Sequence, residues 1–109
     1  MSGPAPFFVV RAVPREAVRE EFLRWARTVH LRDVRRIPGI AAVRWGLTPG
    51  GTMLTVLVFA DADAVRGALE SPEAAYARGT WERWVPHLEE FQVELYAPLE
   101  PSPAPFSFN

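Results

Sequence analysis

The spacing of apolar side chains along the chain marks its elements. "PFFVVRAVP" alternates too little for a one-sided strand but reads as extended, predicting a strand over Phe7 to Val13 closed by Pro14. From Arg15 the period lengthens. Val18, Phe22, Trp25, Ala26 and Val29 recur at three- and four-residue spacing, which lays an apolar stripe along one side of a helix. Glu16, Glu20 and Glu21 crowd its first turns and Arg32, Arg35 and Arg36 its last, an order that suits the helix dipole. "IPGI" stops it, because Pro38 disfavours helical geometry at Ile37 and Gly39 can take a left-handed turn.

Two further strands, "IAAVRWGLT" and "TMLTVLVFA", flank Pro49-Gly50-Gly51, a turn signal of hairpin length. A second helical region starts at "DADAVRGALE", with Asp61 or Asp63 as N-cap. It breaks and restarts at Ser71-Pro72-Glu73, where Ser71 caps and Pro72 takes the first helical position. The continuation is helical, with interruptions expected near Gly79 and Pro86, and "FQVELYAPL" supplies the last strand. The order β-α-β-β-α-β predicts an α+β, ferredoxin-like domain with a four-stranded antiparallel sheet over residues 1–100, followed by a Pro-rich tail over 101–109.

Both faces of these strands are apolar. Phe8, Val10 and Ala12 lie opposite Phe7, Val9 and Val13, and Met53, Leu57 and Phe59 lie opposite Leu54, Val56 and Val58. Two helices cover only one face, so the other would form a large exposed apolar patch unless a partner buries it. The simplest partner is a second copy, sheet against sheet: a homodimer. Phe106 and Phe108 in the tail are expected to dock on apolar surface as well.

Composition narrows the chemistry. The net charge of -1 gives no broad attraction to nucleic acid or anionic membrane. There is no cysteine, which excludes disulfides, thiol catalysis and thiolate metal sites. No apolar run approaches the roughly 20 residues of a spanning helix, and "MSGPAPFFVV" lacks a basic leader region, so a cytoplasmic protein is expected. There is no Gly-rich phosphate loop, no serine nucleophile elbow and no compact set of metal ligands, so neither metal nor cofactor is expected.

Trp25, His30, "IPGI" at 37–40 and the Arg44-Trp45 pair on the next strand resemble the corresponding features of EthD-like proteins, in the dimeric α/β-barrel superfamily. "SPEA" at 71–74 is similar to the start of the second helix in related barrel monooxygenases. The resemblance implies a homodimer packed through its sheets and a pocket between sheet and helices in each protomer. Superfamily members include cofactor-free monooxygenases, polyketide cyclases, lactone isomerases and haem-degrading enzymes, so fold alone does not choose the reaction.

His30 falls at the margin of the helical stripe, about 40° beyond Ala26 on a regular wheel. It reads either as a general acid or base facing a pocket or as a core-edge histidine bonded to backbone. Asp33, one turn on, could orient the imidazole, although an ion pair with Arg44, Arg36 or Arg11 is the stronger reading. Arg44 could hold a substrate oxygen or compensate an acidic side chain. Trp25, Tyr76, Trp81, Trp84 and His87 either wall a pocket for a flat apolar ligand or fill the core, with His87 also readable as a surface residue near a helix end. Together these predict a protein that binds a hydrophobic, aromatic or polyketide-like molecule, with His30 moving a proton in cofactor-free chemistry. A non-catalytic binding protein is the alternative and a haem-binding protein the third reading. Replacing His30 by Leu is expected to remove function without destabilising the fold.

Overall fold

The computed structural model describes residues 5–97; the tail and the proposed docking of Phe106 and Phe108 lie outside the described residues. Four strands, β1 (Phe7–Pro14), β2 (Ile40–Leu47), β3 (Met53–Phe59) and β4 (Leu88–Tyr96), form one antiparallel sheet in the order β2-β3-β1-β4. The helical segments between them complete the ferredoxin-like β-α-β-β-α-β order. A turn of 3-10 helix at Glu16–Val18 leads into α1 (Arg19–Trp25), a π turn (Ala26–His30) and α2 (Leu31–Arg35). After β3 come α3 (Ala64–Leu69), α4 (Pro72–Glu82) and a 3-10 turn at Val85–His87.

The stop and restart signals act as their chemistry requires. Gly39 has φ +84°, and a Cβ there would sit 3.1 Å from the Cβ of Ala64, so the helix exit needs glycine. The Ser71 hydroxyl accepts from Ala74 N–H at 3.1 Å and donates to the Ala68 carbonyl at 2.7 Å, joining the end of α3 to the start of α4. Asp61 rather than Asp63 supplies the side-chain cap, accepting from Ala64 N–H at 2.9 Å. Two expectations are corrected. The chain stays helical through Gly79, because an isolated glycine costs only about 1 kcal/mol and buried Ala77 and Trp81 hold the helix on either side. The last strand begins at Leu88, three residues earlier than expected, because Leu88 is itself buried in the core.

The helices cover one face. Val10 and Ala12 of β1 and Met53, Leu57 and Phe59 of β3 are buried beneath them, with Thr55 the polar member of that β3 row. The opposite face carries Phe7, Leu54 and Tyr96 exposed, with Val9, Val56 and Val58 half-buried. Arg11 there pairs with Glu90 at 2.6 Å, and Phe7 stacks on Tyr96 at 5.1 Å. Helix coverage also stops short of the edge strand: Val93 and Leu95, on the inner face of β4, are 43% and 46% exposed.

Candidate functional site

The first helix is not regular, and its irregularity sets the position of His30. Phe22, Ala26, His30 and Val34 are all buried, and they step by four. In a regular helix each such step drifts by about 40°, so the run would wind off the core. The π turn over Ala26–His30 places an extra residue in one turn and cancels much of that drift. His30 therefore lies inside, 1% exposed, and not at the margin. The four-residue stepping was the available signal.

Both ring nitrogens of His30 are engaged. The Trp81 indole N–H donates to Nδ1 at 3.2 Å, which leaves the proton on Nε2, and Nε2–H donates to Thr55 Oγ1 at 3.1 Å. Trp25 stacks on the imidazole at 5.7 Å, and Trp81 meets it edge-on at 4.9 Å. Burial penalises the charged form and pushes the pKa of His30 down to about 4. At neutral pH the site thus holds a neutral imidazole in one tautomer.

His30 and Trp81 stand in the wall of a cavity of about 440 Å³ between the sheet and helices α2 and α4. Phe8, Leu57 and Phe59 form its floor and Ala74 and Ala77 of α4 its roof, with Val93 on the side where the helices end. Arg78 and Glu82 are its charged lining residues, both on exposed positions of α4. The volume falls within the ordinary range for small-molecule sites, and the lining is predominantly apolar, as such sites usually are.

The other candidates are dispersed. Asp33 does not orient His30, whose nitrogens are already occupied, nor does it pair with Arg44, Arg36 or Arg11. Its Oδ1 accepts from Arg32 Nε at 3.1 Å, while Oδ2 is buried with no hydrogen-bond partner among the described residues. Asp33 faces a separate groove with Pro72, Glu73 and Tyr76, so Tyr76, 60% exposed, lies outside the cavity. Arg44 pairs in register with Val56 and therefore projects from the sheet face opposite His30. Trp25 and Trp84 are buried in the core cluster around Phe22 and do not line the cavity. His87 is exposed at the end of its 3-10 turn. Sequence reasoning missed Thr55, Ala74, Ala77 and Arg78. Thr55 was visible as the one polar residue in the inward row Met53, Thr55, Leu57, Phe59; the alanines had no chemical signal.

Among the described residues no group of three His, Cys, Asp or Glu side chains could hold a metal ion. Among them, too, no helix is long and apolar enough to cross a membrane. His30 could ligate a haem iron only by giving up one of its two hydrogen bonds.

No family model matches the chain, and no curated protein matches it significantly. Solved structures do. An EthD (ethyl tert-butyl ether D) family protein from Bacillus halodurans C-125 superposes with a TM-score of 0.69 at 12% identity, over 86% of this chain and 99% of that one. SnoaB, a cofactor-independent oxygenase from Streptomyces nogalater, solved as a variant, gives 0.62 at 20% identity over 94% and 100%. Rv0793 from Mycobacterium tuberculosis gives 0.63 at 20% identity over 90% and 99%. At such identities the likeness establishes the fold and leaves the chemistry open. The chain has the fold of the EthD and antibiotic biosynthesis monooxygenase proteins, members of the dimeric α/β-barrel superfamily.

Proposed function

We propose that the protein binds a flat, largely apolar small molecule in the cavity between sheet and helices and performs cofactor-free proton transfer on it at His30. The observation that carries this reading is a neutral, single-tautomer imidazole in the wall of an otherwise apolar cavity of about 440 Å³. A conjugate acid near pKa 4 makes His30 a weak base but a competent neutral hydrogen-bond donor through Nε2. A substrate carbonyl or phenol taking the place of Thr55 would be polarised by that N–H. To take the substrate's proton His30 must use Nδ1, the nitrogen without a hydrogen, after the Trp81 N–H has let go of it. An enolate or phenolate left beside the ring then favours the imidazolium so formed. The structural likeness to a cofactor-independent oxygenase supports chemistry of this class. One observation favours the non-catalytic alternative: both ring nitrogens already have protein partners, as a purely structural histidine would.

In the same reading the exposed sheet face, with Phe7, Leu54 and Val56, is covered by a second copy, and light scattering should return twice the chain mass. The test of function starts from the compound that co-purifies with the protein. Consumption by wild type but not by His30→Asn supports catalysis. A compound bound unchanged by both supports the binding protein. If no apolar compound perturbs the fluorescence of Trp81 beside the cavity, the reading fails.

A further inference from the structure

The distribution of polar atoms along the cavity limits where a ligand can carry charge. At its inner end His30 and Trp81 are the polar side chains, and their ring nitrogens already have partners. A charged group placed there would be desolvated without compensation, which disfavours it strongly. Ala74 and Ala77 above offer only methyl groups. Among the described residues, charge can be met only on α4, where Arg78 and Glu82 enter the lining one turn apart.

These two are not equivalent. Arg78 Nη1 donates to the carbonyl of Leu69, another lining residue, at 3.2 Å, so its guanidinium is tethered beside the cavity. That is its one hydrogen bond among the described residues, which leaves most of its five N–H donors for a ligand. Glu82 has no tether of this kind, and the two form no ion pair among the described residues. A group already held in place loses less freedom on binding, and a guanidinium matches a planar or forked anion through two parallel bonds.

Resting on the reading of the cavity as a ligand site, we propose that its ligand is an amphipathic anion. The apolar ring body lies under Ala74 and Ala77, and a carboxylate or sulfonate head meets Arg78. Arg78 thereby becomes the residue that selects acids over neutral molecules of the same shape, with Glu82 tempering that preference from the next turn.

Two fluorescent probes of one skeleton test this: anilinonaphthalene sulfonate, and the neutral phenylnaphthylamine that lacks the sulfonate. Wild type should bind the anionic probe more tightly. Arg78→Gln should weaken the anionic probe about three- to fivefold more than the neutral one, the range of an exposed charge pair. Ala77→Leu, checked for an intact fold by circular dichroism, should weaken both by filling the roof. Equal affinity of the two probes in wild type, or an unchanged preference in Arg78→Gln, overturns the assignment of Arg78 and leaves the ligand cavity standing. Indifference of both probes to Ala77→Leu in a folded protein overturns the cavity reading itself, and this inference with it.

Discussion

The inner face of the sheet has two ends, both apolar and both roofed by α4, yet one is solid and the other hollow. At the solid end Phe22, Ala12 and Met53 are fully buried, and the rings of Phe22, Trp25, Trp81 and Trp84 stand with centroids 4.9–5.8 Å apart. At the hollow end α4 presents Ala74 and Ala77 to Phe8, Leu57 and Phe59, and the cavity opens between them. The strands supply Ala12 and Met53 at the solid end and the larger Phe8, Leu57 and Phe59 at the hollow one. Above them the order is reversed: Trp81 of α4 and Trp84 in the turn just after it lie over one end, Ala74 and Ala77 of α4 over the other. The cavity follows from which residues α4 carries, and His30 sits where the two regimes meet.

The largest effect should come from breaking the solid end. Phe22→Ala removes a ring that touches three tryptophans and should cost about 3–5 kcal/mol in urea denaturation. A loss below about 1 kcal/mol would show that this end is loosely packed and that the contrast with the cavity is false.

The boundary can be tested by pH. His30 has its folded-state pKa at about 4, below its ordinary 6.5, so the folded state holds fewer protons than the unfolded state between those values. Its contribution is therefore fully present above pH 6.5 and is lost as pH falls towards 4, amounting to roughly 3 kcal/mol. His30→Asn should flatten that part of the stability–pH curve. Equal slopes for the two proteins between pH 6.5 and 4 would mean that His30 charges freely in the fold.

At constant pH 7, His30→Leu should cost about 1–3 kcal/mol, contrary to the expectation from sequence that leucine would be tolerated. The reason is the Trp81 indole N–H and the Thr55 hydroxyl, which both lose their partner in a buried place. A melting temperature unchanged from wild type would show that these groups find other partners.

Most of the fold was legible in the sequence, because strand and helix periods, the Ser71-Pro72 restart and Gly39 each act through local chemistry. The site was legible in part. His30 and Trp81 meet, 51 residues apart in sequence, because helix phase and strand order bring their elements together. Arg44 could not be placed by residue type alone: on a strand, one step in register decides the face, and both faces here are apolar. Asp33 does form an ion pair, as the stronger reading had it, but with Arg32 in place of Arg44, Arg36 or Arg11. Its other reading fails for a different reason. A regular helix puts it within reach of His30, but the imidazole's bonds to Trp81 and Thr55 are tertiary and invisible to helical spacing. The hollow end was the least legible feature, since a missing side chain carries no chemical signature.

The finest test of the contrast makes one substitution at both ends. Ala26 and Ala77 are both buried, at 0% and 6% exposure, so composition and burial treat them alike. Ala26 lies in the solid core cluster, and leucine there must displace neighbours, which should cost about 1–3 kcal/mol. Ala77 faces the cavity, where the added methyl groups enter open space against Phe8 and Leu57. Ala77→Leu should thus leave stability unchanged or raise it by up to about 1 kcal/mol, as buried apolar area is gained without strain. Parallel thermal melts of the two variants decide the matter. If both destabilise equally, the space under α4 closes in solution and the cavity is not a standing feature of the fold. If only Ala26→Leu does, the hollow end is maintained by small residues at a cost in packing, as expected of a place kept open for a ligand.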